Sequence, residues 1–410
     1  MPSKPISPTS VQWRSYLTLF FCVSGALAGG VTCLNYLVDP YLTHQWDTAL
    51  VQRLRPQLEK LSAWGKTYAV AKYRPAVIYL GNSRTEVGLP ASVPVFKGKT
   101  VFNGALSGAS LGDAIAMLQH AQFVSRLDTV VWGLDAPSFA LSVGNTDFDR
   151  ALVADGAGYF FRRALLSMQR GLTLNTTLDS IDILRGTFGA VCRSNLAFYG
   201  QRDDACTATR IADMGGTRNL IVPRLQEFPL GAGPTAPAFD ALDAALAPLC
   251  QRGTRIRLYI NPTHALMLDA LYWSGKWPAM EQWQQSLAAL GERRRHGACD
   301  VRLFDFSGFN SVTSEPIPQF SQRSSMMYYW ETSHYRDNVG RMILERMFGG
   351  GGQSAPSDFG VELTPDMLPL HLAQMRAKRD LYHIEHPGET EFVKHLASTK
   401  LAKPQPPERL

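Results

Sequence analysis

The sequence predicts an α/β protein: a parallel sheet with helices on both faces, an N-terminal transmembrane helix, a long helical insertion and a helical C-terminal tail. Three observations carry this expectation. Short runs rich in β-branched and aromatic residues recur through the middle of the chain, and the first three alternate with helix-like stretches, as βαβ units do. No charge occurs between Arg14 and Asp39, an apolar run as long as the roughly 20 residues a span requires. A Gly/Ser/Pro stretch at 349–357 then separates the α/β region from a charged, helix-like end.

Residues 1–40 form a cytoplasmic start and an anchor. Lys4 and Arg14 precede the apolar run and no acidic residue does, which keeps the N-terminus inside and places the main domain outside the cytoplasm. A cleaved signal peptide competes, because Ala26-Leu27-Ala28 resembles a cleavage site, but the apolar run continues through Val31, Leu34 and Leu37. An uncleaved single-pass anchor in the inner membrane with a periplasmic domain is the reading adopted. Cysteine usage agrees with it. Cys22 and Cys33 lie in the apolar run, which leaves Cys192, Cys206, Cys250 and Cys299 as an even set for an oxidising compartment. The expected pairs are Cys192–Cys206 and Cys250–Cys299. No Cys-x-x-Cys pair or histidine cluster points to a metal, so neither metal nor cofactor is expected.

The remaining elements follow in order. Residues 41–75 read as a helical stalk, with Leu50, Leu54, Leu58 and Leu61 at helical spacing. Strands are expected at 76–80, 100–103, 129–133, 255–260 and 301–306, with a helix at 111–124 between the second and third. Residues 76–348 make up the main domain. Its regularity lapses over 136–249, an insertion with helices at 160–168 and 172–184, read as either a wall over the site or plain scaffold. The last helix of the domain spans 339–348, and 349–410 are a linker and helical tail. A net charge of +6 over 410 residues is mild, and no basic run interleaved with aromatics argues for nucleic acid.

Chemistry-bearing residues sit where such a sheet collects them, at the carboxyl ends of strands. The first strand ends in Gly81-Asn82-Ser83-Arg84, a junction that can present the Ser83 hydroxyl beside helix N-terminal N–H groups. A Ser there is also a common turn former or N-cap. Ahead of the last helix stands Glu331-Thr332-Ser333-His334, in which the carboxylate can hold the imidazole while the ring takes a proton. An isolated Glu-x-x-His is also common on solvated surfaces.

Taken together these pieces resemble the SGNH, or GDSL-like, hydrolase and acyltransferase superfamily. Gly81-Asn82-Ser83-Arg84 resembles its first block, Asn103-Gly104-Ala105-Leu106-Ser107-Gly108 its second, and Glu331-Thr332-Ser333-His334 its last, Asp-x-x-His. Gly133-Leu134-Asp135 stands where the third block has Gly-x-Asn-Asp. The resemblance implies a flavodoxin-like fold, Ser83 as nucleophile, His334 and Glu331 completing a triad, and Ser83 and Gly108 N–H groups as the oxyanion hole. Two positions depart from the pattern. Glu331 replaces Asp and lengthens the arm. Asp135 replaces the Asn that would donate to the oxyanion, and an ionised Asp only accepts, so Asp135 must be protonated, turned away or neutralised. Arg84 is the expected partner, and Asn82 and Asn103 are expected to orient the nucleophile turn. His264 lies at the same edge, as either a substrate contact or a structural His. Trp273, Trp277 and Trp283 suit either sugar stacking or core packing.

The implied function is serine-dependent O-acyl, above all O-acetyl, esterase or transferase chemistry on extracytoplasmic polysaccharide or cell-wall glycan. A membrane-bound O-acyltransferase is the expected companion, because one span cannot carry an acyl donor across the bilayer. The rival from another class is a non-catalytic, anchored assembly or glycan-binding protein that keeps the fold with a decayed site, and Asp135 is its best support. A lipid thioesterase or lipase, which would need an apolar groove, is a third.

Overall fold

A computed structural model describes residues 10–41, 43–44, 63–142, 144, 148–185, 199–227, 234–296, 299–321, 325–349 and 355–401. At its centre lies a six-stranded sheet of β1 (Val77–Leu80), β2 (Val101–Asn103), β3 (Thr129–Leu134), β4 (Arg255–Ile260), β5 (Val301–Asp305) and β6 (Val361–Glu362), in the order β2-β1-β3-β4-β5-β6. The first five strands are parallel and β6 runs antiparallel to β5 at the edge. Every residue of β1 and β3 is buried. Side chains alternate across a strand, so this burial requires cover on both faces, and the strands accordingly read as continuous apolar runs.

The helices are α1 (Ser10–Val38), α2 (Ala63–Tyr73), α3 (Ser83–Gly88), α4 (Leu111–Val124), α5 (Tyr159–Gly171), α6 (Leu174–Leu184), α7 (Asp204–Asp213), α8 (Thr217–Glu227), α9 (Ala236–Gln251), α10 (Ala265–Trp273), α11 (Trp277–His296), α12 (Asp337–Phe348), α13 (Leu368–Glu385) and α14 (Pro387–Leu396). α1 is long and apolar enough to cross a membrane. The start of α4 shows how local sequence sets a boundary. Ser110 Oγ accepts from Asp113 N at 3.2 Å, and Asp113 Oδ2 accepts from Ser110 N at 3.1 Å, so each satisfies an N–H group that a helix start leaves open. α2, α4, α9 and α11 pack side by side. α9 is the crossover between β3 and β4, so the stretch read as an insertion at 136–249 ends in a regular element of the domain.

Two parts of the expected organisation are arranged differently. Residues 45–62, most of the expected stalk, lie outside the described residues. The part that is described, α2, is no stalk: Ala69 and Val70 are fully buried in the core and the Lys66 ammonium is buried in an ion pair. The sheet also passes the boundary drawn at 349, because β6 pairs with β5. The segment beyond it is held by His371 Nε2 on Asp305 Oδ2 at 2.9 Å and His383 Nε2 on Asp269 Oδ1 at 2.5 Å.

Cys250 at the end of α9 is bonded to Cys299 just before β5, across 49 positions of sequence, the second of the expected pairs. Cys192 lies outside the described residues. A crosslink closing a loop of this length stabilises by roughly 2–5 kcal/mol, chiefly by restricting the unfolded chain. Cys250→Ser is therefore expected to lower the urea midpoint of the full-length protein. Pretreatment of the wild type with reductant before the titration should lower the midpoint at least as far, because reductant opens the Cys206 disulfide as well.

Candidate active site

The junction after β1 is shaped by Gly81, whose φ of +144° lies where side chains are disfavoured. A Cβ there would stand 2.5 Å from Thr85 Oγ1. Asn82 then caps α3, its Oδ1 accepting from Arg84 N at 3.0 Å. Ser83 becomes the first residue of the helix and is half-buried.

His334 arrives from 251 positions downstream, ahead of α12. Two glycines allow the approach. The Tyr335 ring lies where a Cβ of Gly88 would be, at 2.0 Å, and the Gly88 carbonyl oxygen stands 1.9 Å from where a Cβ of Gly340 would be. Either position with a side chain would push α12 and its preceding loop away from α3. In this packing Ser83 Oγ and His334 Nε2 are 2.8 Å apart. His334 Nδ1 is hydrogen-bonded to Glu331 Oε1, and Glu331 Oε2 accepts from Ser333 N at 2.6 Å. The carboxylate is 1% exposed and the imidazole 15% exposed. Burial raises the Glu331 pKa, but the His334 ring, Arg224 and the Ser333 N–H together outweigh it and hold the carboxyl below its ordinary value. The longer Glu arm thus reaches the ring.

A cavity of about 450 Å³ opens over Ser83, with Gly108, Arg84, Asp135, Arg224 and Met267 among its walls, a size within the range of small-ligand sites. Gly108 is exposed to it, on the loop where the second oxyanion donor was expected. Asp135 is neutralised rather than turned to bulk water. Arg84 Nη1 donates to its Oδ1 at 2.7 Å, and the amides of Asn82 and Asn261 donate to its Oδ2 at 2.8 and 2.9 Å. Asn82, Asp135 and Asn261 follow the adjacent strands β1, β3 and β4, so the central carboxylate clamps three strand ends together. The clamp continues inward: Asn261 Oδ1 accepts from Tyr335, Tyr335 meets Tyr259, and Tyr259 meets Thr85, at 3.0, 3.1 and 2.9 Å. Every member of this chain is buried, and all are paired.

Asn103 is fully buried and serves the end of α3. Its amide donates to the Thr85 and Leu89 carbonyls at 2.9 and 3.0 Å while its Oδ1 accepts from Ala105 N at 3.1 Å. His264 requires a correction. It is fully buried, capping α10 through Nδ1, which accepts from Leu266 N at 3.2 Å, with Nε2 on the Glu315 carbonyl at 2.8 Å. Burial pushes its pKa down to about 4. It is a structural residue and does not reach the cavity. The three tryptophans are likewise packing groups: Trp277 and Trp283 are buried, Trp273 stacks on His383, and none lines the cavity. Among the described residues no group of three or more His, Cys, Asp or Glu is placed to hold a metal.

Sequence reasoning missed Asn261, Arg224 and a buried charge cluster below the Gly108 loop. Glu86 pairs with Lys66 at 2.9 Å and Arg202 at 3.1 Å, and accepts from the Ser107 hydroxyl. Burial raises the Glu86 pKa, but the two cations and the hydroxyl outweigh it and hold the carboxyl at about 2. Its only legible signal was a Glu in the short helix after the nucleophile, which also reads as a solvated residue. A carboxyl held below its unfolded value contributes stability that is complete above about pH 4.5 and is lost as pH falls toward 2. Glu86→Gln breaks the buried pair with Lys66 and is expected to destabilise by about 3–5 kcal/mol at pH 7. Its urea midpoint should also fall less steeply than wild type's between pH 4.5 and 2.

Compared with known proteins, the chain matches no family model and no curated protein sequence.

Proposed function

We propose that this chain is a serine-dependent O-acyl esterase or transferase of the SGNH type, acting on extracytoplasmic glycan from a single-pass anchor. The observation that carries the reading is the 2.8 Å approach of Ser83 Oγ to His334 Nε2, with Glu331 buried behind the ring. The strand order 2-1-3-4-5 supports a flavodoxin-like fold, and α1 with the Lys/Arg bias before it supports an anchored, periplasmic domain.

In this mechanism His334, oriented by Glu331, takes the Ser83 proton as the hydroxyl attacks an ester carbonyl. The negative charge on the carbonyl oxygen is met by the N–H groups of Ser83 and Gly108. Protonated His334 returns its proton to the departing alkoxide, leaving an acyl-serine. A water or sugar hydroxyl, deprotonated by the same ring, then takes the acyl group. Arg84 covers the Asp135 charge, so the third block's missing amide does not place a bare carboxylate beside the oxyanion.

A non-catalytic assembly or glycan-binding role is the alternative, favoured by Asp135 itself. One experiment separates them: the full-length protein in detergent is treated with a serine-directed fluorophosphonate and digested for mass spectrometry, and assayed in parallel on an aryl acetate. The proposal expects a phosphonyl adduct on Ser83, absent from His334→Ala, and hydrolysis above the buffer rate. Neither adduct nor turnover would favour the binding protein.

A further inference from the structure

Helices α5 and α6 turn large apolar side chains outward. α6 buries Thr176, Ser180 and Ile183 but exposes Leu174 and Leu178, at 72% and 50%. α5 and its cap expose Phe161, Leu165, Met168 and Leu172, spaced at i, i+4, i+7 and i+11, which places them on one stripe. Phe161 is 78% exposed. In water such a stripe is unfavourable, and contiguous apolar surface of this kind marks a contact with something apolar.

Its position names the contact. Asn35, on the last turn of α1, donates to the Gly171 carbonyl at 2.7 Å and to Thr177 Oγ1 at 2.9 Å, which pins the α5–α6 corner to it. Val38 packs on Ile183 beside Leu34. Asn35 lies three residues before the end of α1, about 4.5 Å along its axis. A helix lying in a membrane interface buries its apolar face roughly 5–10 Å deep. The corner is thus tied to α1 at the depth an interfacial helix occupies, while the most apolar stretch of α1 is not buried by any of the described residues.

We infer that α5 and α6 form an interfacial hairpin, its Phe161–Leu172 and Leu174–Leu178 stripes sunk into the leaflet where α1 ends. This rests on the proposed anchoring of α1. The domain is then held at a fixed height and tilt on the bilayer instead of swinging on a tether.

The test uses full-length protein carrying Cys22→Ser and Cys33→Ser, the two free cysteines among the described residues. Single nitroxide labels are placed by Phe161→Cys, Leu174→Cys, Leu27→Cys in α1 and Gln285→Cys at an exposed position of α11. The protein is set in phosphatidylcholine–phosphatidylglycerol nanodiscs, and power saturation is measured with oxygen and with a soluble nickel chelate. The oxygen-to-nickel accessibility ratio is expected to be severalfold higher at 161 and 174 than at 285, and below that at 27, which lies deeper in the bilayer. Values at 161 and 174 equal to 285, with 27 still lipid-like, would overturn the hairpin and leave the anchor standing. A water-like value at 27 would remove the anchor itself and the hairpin with it. Labels at 161 and 174 shielded from both reagents would overturn the inference in favour of a protein partner on the stripe.

Discussion

Replacing Ser83 with alanine is expected to lower kcat on an aryl acetate by roughly ten-thousand- to million-fold, as removal of the nucleophile from a cooperating triad does. The loss should come with little change in folding. Ser83 stands at the first position of α3, where the cap is Asn82, and its hydroxyl's partner in the site is the His334 ring. Surface-like substitutions of this kind stay within about 0.5 kcal/mol. His334→Ala should cost a similar factor, and the double variant should be no worse than either single one, because the two groups act as a unit. Glu331→Gln should cost about ten-thousand-fold or somewhat less, since it leaves the ring in place but loses control of its tautomer. A Ser83→Ala protein that kept more than a tenth of wild-type turnover would remove Ser83 from the chemistry.

The second large effect concerns Asp135. Its carboxylate pairs with a guanidinium that is 5% exposed and accepts two further amides. Asp135→Ala breaks the buried pair with Arg84, which typically costs about 3–5 kcal/mol, so a clear drop in the urea midpoint is expected. Activity should fall as well, because Asn82, which sets the start of α3 under the nucleophile, loses one of its anchors. Exchanging both partners, as in Arg84→Met with Asp135→Leu, should recover much of the stability, since no buried charge is left unpaired, without restoring the rate. Asp135→Asn keeps one acceptor oxygen but turns an NH2 group toward the donors of Asn82 and Asn261. It is expected to cost about 1–3 kcal/mol. If Asp135→Ala were as stable as wild type, the carboxylate would not be the clamp at the strand ends.

The parallel strands were legible because each is a short apolar run set off by turn residues, and their observed bounds lie within one residue of the expected ones. The helix at 111–124 was legible as a helix-like run between two strands. The edge strand β6 was not, because two residues, one of them charged, carry no pattern. Of the candidate site, Ser83, Glu331 and His334 were singled out because their blocks resemble, in order, those of the SGNH superfamily. Arg84 was found as the partner of Asp135 because an uncompensated charge demands one nearby. Asn261, Arg224 and the Glu86 cluster were not found, since Asn, Arg and Glu are ordinary surface residues until burial gives them meaning.

The sequence by itself determined the strands, the apolar N-terminal helix and which side chains are candidates for the chemistry, because these depend on local pattern and on what each side chain can do. Only the tertiary structure decided that His334 reaches Ser83, that His264 is sealed away, that Asp135 is held by three donors and that α6 faces outward with its leucines. Each of those outcomes depends on packing between residues far apart in the chain, through contacts such as Tyr335 on Gly88, and on the burial that such packing imposes.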